Sequence, residues 1–170
     1  MATMILLPDG QVNVSSDWIP VPFPNTISSA LYDDNGATSY VKCDDHLETM
    51  RVLYANPSVA EADIDFSAGV SVRFLSSGRS TDRTTASRVA IDFIAPSGNP
   101  QENAAYSTSR SSFETINGTA SPYSDGSSAA WTYSDLEDLR LMCTKVQTQE
   151  VYLSYLALEV TYTEAVAADN

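Results

Sequence analysis

The strongest pattern along the chain is an alternation of apolar and polar residues between positions 62 and 74. Ala62, Ile64, Phe66, Ala68, Val70, Val72 and Phe74 are apolar, with Asp63, Asp65, Ser67, Gly69, Ser71 and Arg73 between them. A period of two puts one set on the buried face of a strand and the other toward solvent. The spacing predicts a long strand or strand pair over 62–74, with Gly69 marking a bulge or bend. Val89, Ile91, Phe93 and Ala95 repeat the pattern until Pro96–Pro100 stops it. The polar stretch around 76–88 then reads as the loop of an antiparallel pair.

Three further segments have strand character: Thr38–Cys43, Thr49–Tyr54 and Val151–Tyr162. In Thr49–Tyr54, Val52 and Tyr54 share a face. In the last segment Leu156, Leu158, Val160 and Tyr162 lie on one face, and Val151, Leu153, Tyr155 and Ala157 on the other. Apolarity on both sides predicts a central strand, or an outer face covered by a partner. Residues 101–130 are rich in Ser, Thr, Asn, Gly and Ala, so short strands inside long loops are expected, anchored by Tyr106, Phe113 and Ile116. Asp33–Gly36, Asn117–Gly118 and Ser121–Gly126 read as turns. A single helix can be argued: Ser134 with Glu137 fits a capping box, and Leu136, Leu139 and Met142 or Leu141 give it an apolar face.

These elements predict an all-β fold, a two-layer antiparallel β-sandwich of jelly-roll type with one short helix. A parallel sheet is disfavoured, because no long helix alternates with the strands. Residues 1–26 stand apart as an extended N-terminal arm, 27–163 form the sandwich, and 164–170 form a flexible tail. Pro8, Pro20, Pro22 and Pro24 stiffen the arm and remove backbone donors. Met4, Ile5, Leu6, Leu7, Trp18, Ile19 and Phe23 are its candidate protein-interface residues. The alternative is a strap packed on its own domain.

Charge narrows the partners. The net charge is −13 over 170 residues, which offers nothing to neutralise a row of phosphates and disfavours an anionic membrane surface. Nucleic acid and membrane are therefore not expected as partners, while a protein with a basic surface is. The apolar start Met1–Pro8 lacks the cationic region of a signal peptide. Cys43 and Cys143 have no neighbouring ligand at metal spacing and are read as buried free thiols, with a disulfide left open should their strands pair.

Catalytic chemistry is hard to place. His46 is the only histidine, next to Asp44 and Asp45, and no nucleophile motif exists to use it. Asp63 with Asp65, and Glu159 with Glu164, are the carboxylate pairs a glycosidase would need; the first pair is expected on a solvent face with ordinary acidity. Asp33–Gly36 resembles a fragment of a calcium loop but lacks its acidic spacing. The reading is a non-enzyme without cofactor or metal. Nine tyrosines and two tryptophans could supply a sugar-stacking platform, although core packing explains most of them.

Several local motifs together resemble small structural proteins of tailed bacteriophages. They are Leu7-Pro-Asp-Gly-Gln-Val-Asn-Val-Ser-Ser-Asp-Trp18, the acidic turn before Thr38-Ser-Tyr-Val41, Ala130-Trp-Thr-Tyr-Ser-Asp-Leu-Glu-Asp-Leu139, and Val151-Tyr-Leu-Ser-Tyr-Leu-Ala-Leu-Glu-Val-Thr-Tyr162. The pattern's Gly-Val after the helix is Met142–Cys143 here. The resemblance implies a jelly-roll or concanavalin-like virion protein made in the host cytoplasm and carried on the particle's outer surface. It implies a capsid cement or decoration protein bound to the major capsid protein or other virion proteins, as a dimer or trimer. The alternative is a tail or neck component acting as a receptor- or carbohydrate-binding module.

Overall fold

The computed structural model describes residues 1–12, 18–22, 26–32, 38–43, 47–80, 87–94, 101–108, 112–124, 128–146 and 150–166. Its strands are β1 (Ala2–Leu6), β2 (Pro8–Val12), β3 (Trp18–Val21), β4 (Tyr40–Cys43), β5 (Thr49–Tyr54), β6 (Ser71–Ser80), β7 (Ser87–Ile94), β8 (Gln101–Thr108), β9 (Glu114–Asn117), β10 (Arg140–Lys145) and β11 (Val151–Tyr162), with short helices α1 (Ile27–Ala30) and α2 (Tyr133–Glu137). All pairings are antiparallel. One sheet runs β3-β4-β11-β6-β9 with β1 also on β11; the other runs β2-β5-β10-β7-β8. The fold is the expected two-layer sandwich. Its core lies between the sheets, where Val41, Phe74, Leu153 and Leu158 of the first sheet and Val52, Ile91, Phe93 and Leu141 of the second are fully buried.

Strand β11 organises the first sheet. It pairs with β6 along most of its length on one side, and with β4 and β1 end to end on the other. Its register on β6 slips between Leu153 and Tyr155, leaving Ser154 as an extra residue. A bulge of one residue exchanges the faces of every side chain beyond it. Val151 and Leu153 therefore face the core before the slip, and Leu156, Leu158, Val160 and Tyr162 after it. That phase change is why the sequence looked apolar on both faces. In the gap between β4 and β1, the Leu156 amide donates to Leu31 O (3.2 Å) and the buried Tyr54 hydroxyl donates to Leu156 O (3.0 Å).

The described parts of the N-terminal segment, expected as an extended arm, are strands of the two sheets. β1 joins the first sheet, the chain crosses at Leu7, β2 borders the second sheet, and β3 returns to the edge of the first. Met4 and Leu6 alternate with Thr3 and Ile5, so β1 has one buried face like any core strand. Pro8 and Pro20 fit because β2 and β3 are edge strands, where a missing N–H breaks no ladder on the open side.

Two further expectations change. Over 62–70 the chain forms two 3-10 turns, Glu61–Asp63 and Phe66–Ala68, rather than a strand. Asp65 Oδ1 accepts from Ser67 N (3.0 Å), Ser67 Oγ (2.5 Å) and Ala68 N (3.3 Å), a local network that competes with a ladder. Gly69 ends it at φ 91°. The strand starts at Ser71 and continues through Ser76–Gly78, which had read as a loop. β6 and β7 also lie in different sheets instead of pairing. Alternation tells which side of a strand is buried, and both sheets bury toward the same core.

The helix starts two residues early. Thr132 is the N-cap of α2, with Asp135 in the reciprocal position: Thr132 N donates to Asp135 Oδ2 at 3.0 Å, and Asp135 N to Thr132 Oγ1 at 3.3 Å. Ser134 is exposed, and Leu141 belongs to β10. The small helix α1, capped by Thr26, was not anticipated; its Ile27 and Ala30 are buried. Cys43 and Cys143 are free, buried thiols, one in each sheet.

Candidate functional site

The outward face of the first sheet carries a row of large side chains that the core does not use. Cross-strand register sets Ile19 of β3 opposite Lys42 of β4, Lys42 opposite Tyr152 of β11, and Tyr152 opposite Arg79 of β6. Glu114 stands opposite Gly78, so Phe113 continues the row beyond Arg79. Tyr40 lies two residues before Lys42 and shares its face. Lys42, Arg79, Tyr40 and Phe113 are half-buried.

These side chains converge. The Tyr40 and Tyr152 rings meet edge to face at 5.3 Å, and Tyr40 and Phe113 lie 6.2 Å apart at a 46° tilt. Arg79 Cζ sits 3.9 Å from the Tyr152 ring centre and 5.4 Å from that of Phe113. Three strand spacings, roughly 14 Å, separate β4 from β9 in the sheet. Tyr40 and Phe113 must therefore lean toward each other over β11 and β6. The intervening positions Ser77 and Ser154 are small and buried, which leaves room for the rings above the sheet.

Chemically, the row offers flat apolar ring surface with phenol and guanidinium donors beside it. Such a surface matches a ligand with alternating C–H and hydroxyl edges. Sequence reasoning noted the tyrosines but assigned them to the core by default. The signal it lacked was register: only pairing shows that Lys42, Tyr152 and Arg79 are neighbours.

The expected interface residues do not form one surface. Met4, Leu6 and Trp18 are buried in this chain's own core, Leu7 is half-buried, and Ile5 and Ile19 are 43% and 39% exposed. Ile5 stands opposite Glu159 on the outward face. Phe23, His46 with Asp44 and Asp45, the Asp33–Gly36 turn and the side chains of Tyr106 and Ile116 lie outside the described residues.

The carboxylate pairs are not set for acid–base work. Asp63 is exposed, and the Ser67 hydroxyl, with the Ser67 and Ala68 amides, holds Asp65 below its usual acidity range. Glu159 is ion-paired to Arg73 (2.6 Å), while the backbone of Glu164 bridges to Ile64. Among the described residues no three His, Cys, Asp or Glu side chains are grouped as a metal site. Two hollows flank Tyr162 at the end of β11. One, of about 220 Å³, is mainly apolar and touches Gly69, Val70 and Pro122; the other, of about 340 Å³, is bordered by Asp63 and Glu164.

No protein-family model matches the chain, and no curated protein matches it in sequence. Solved structures align with it at low identity and low TM-score. The family 11 carbohydrate-binding module from Clostridium thermocellum, in complex with a β-1,3-1,4-mixed-linked tetrasaccharide, aligns with TM-score 0.40 and 13% identity over 89% of this chain and 95% of that one. The family 11 module of cellulosomal cellulase Lic26A-Cel5E from the same organism gives 0.40 and 13% over 99% and 90%. The N-terminal cellulose-binding domain of Cellulomonas fimi β-1,4-glucanase C gives 0.34 and 13% over 76% and 80%.

Proposed function

We propose that this protein is a non-catalytic carbohydrate-binding module that holds a saccharide on the outward face of its first sheet. The observation that carries this reading is the convergence of Tyr40, Tyr152 and Phe113 around Arg79 on a face turned away from the core. Tyr152 is buried, while Tyr40 and Phe113 beside it keep part of their ring surface in water, and contiguous exposed apolar surface marks interaction sites. A pyranose ring presents an apolar C–H face that such rings cover. Its hydroxyls find donors in the Tyr40 phenol and the Arg79 guanidinium.

The test is retention of the purified chain in native gels cast with a panel of soluble polysaccharides. At least one should retard it, and Tyr152→Ala or Phe113→Ala should weaken retention about tenfold or more, roughly 1.4 kcal/mol. Circular dichroism would show that each variant keeps its sheet signal. A chain that runs freely through every polysaccharide sinks the proposal.

A second reading keeps a virion role, with the module displayed on a tailed-phage particle or cementing its capsid. It is supported by the sequence motifs and by the exposed Ile5 and Ile19 on the outward face. Co-sedimentation with capsids, and light scattering for a dimer or trimer, test it. Binding unaffected by Ile5→Ser with Ile19→Ser removes those residues from the interface.

A further inference from the structure

We propose that the aromatic row selects acidic sugars, with Arg79 as the receptor for the anionic group and Lys42 as its neighbour. The inference rests on the carbohydrate reading above and adds the charge class of the ligand. Lys42 and Arg79 flank Tyr152 in register on its two neighbouring strands. Among the described residues neither cation is ion-paired, although the chain has 22 Asp and Glu against 9 Lys and Arg. The contrast is on the same strand: Arg73, on the same outward face of β6, is taken by Glu159 at 2.6 Å. Two cations on either side of Tyr152 with no carboxylate among the described residues are open to an anionic ligand.

The geometry of Arg79 suits that ligand. Arg79 Cζ lies over the Tyr152 ring, 3.9 Å from its centre, and 5.4 Å from that of Phe113. A guanidinium over a ring face carries its N–H groups in its own plane, the fork that a planar carboxylate fits bidentately. The rings also displace water from the cation, which strengthens its attraction for an anion. The net charge of −13 opposes a polyanion at long range. At physiological salt that repulsion is screened beyond about 8 Å, so the two local cations decide the docked state.

The experiment measures affinity of the full chain for polygalacturonate, for the same polymer with its carboxyls reduced to alcohols, and for dextran sulfate. The carboxylate polymer should bind at least about tenfold tighter than its neutral counterpart. Arg79→Gln and Lys42→Gln should each reduce that preference, and Arg79→Lys should restore only part of it because the bidentate fork is lost. Preference for dextran sulfate over both uronate and neutral polymers assigns the anion as sulfate and keeps the charge class. Equal binding of the neutral polymer, unmoved by either glutamine variant, overturns the inference and leaves the carbohydrate reading standing. No binding to these three polymers by a chain that another polysaccharide of the native-gel panel retards overturns this inference alone, and no binding to these or to any of the panel overturns both.

Discussion

The two faces of the first sheet are made by the same strands and do different work. Inward, Val72, Phe74, Leu158 and Val160 alternate along β6 and β11 as fully buried aliphatic and aromatic side chains. Outward, the same strands carry Arg73, Arg79 and Glu159 at half-exposed positions and Tyr152 buried at 9% exposure among them, each meeting other polar or aromatic groups. The inner face gains free energy from area removed from water, which is insensitive to small changes of direction. The outer face gains little from burial and depends on which residues stand opposite one another. Stability belongs to the first face and recognition to the second.

The sharpest way to break this division is to compare one residue from each side of β6. Phe74→Ala leaves a cavity in a fully buried site and should cost about 3–5 kcal/mol in urea unfolding. Arg79→Gln should cost about 0.5–1 kcal/mol, the size of an exposed cation–π contact, while affecting binding strongly. Equal losses of stability from the two would show that the outer cluster is structural.

A middle-sized effect sits where the two sheets meet. Tyr54→Phe removes the donor to Leu156 O and should lower stability by about 1–2 kcal/mol. Burial, then Cys143, then Tyr155 push the Tyr54 phenol well above its ordinary value of 10.0, and burial with Asp92 nearby pushes the Cys143 thiol up as well. Both groups stay protonated in the folded chain at pH values where the unfolded chain has released them. The unfolded state then binds fewer protons, so stability falls as pH rises. Stability from these groups is complete below their ordinary values and should decline above about pH 9–10, as native values are approached. Urea midpoints at pH 8 and pH 11 measure the decline, and Tyr54→Phe should reduce it. The smallest effect is Glu159→Gln: its partner Arg73 is 37% exposed, so breaking the pair should cost under about 1 kcal/mol and less in high salt.

Where the sequence was read well, the reason is local periodicity. Thr49–Tyr54 forms β5 with those bounds, and Val89, Ile91 and Phe93 are fully buried as their alternation implies. Misreadings occurred where short polar side chains overrode that periodicity. Asp65 captured the Ser67 and Ala68 amides and turned an alternating run into 3-10 turns. Asp135 captured the Thr132 amide and moved a helix start. In β11 the inserted Ser154 reversed the faces, a shift that composition does not reveal.

Side-chain alternation over short windows determined that this chain would form antiparallel sheets around one apolar core, because burial of every second residue is a local demand. The partners of each strand were decided only in three dimensions, by pairings such as β1 with β11 that join residues at opposite ends of the chain. Register alone brought Lys42, Tyr152 and Arg79 side by side, since no spacing along the sequence encodes which residues will face each other across a sheet.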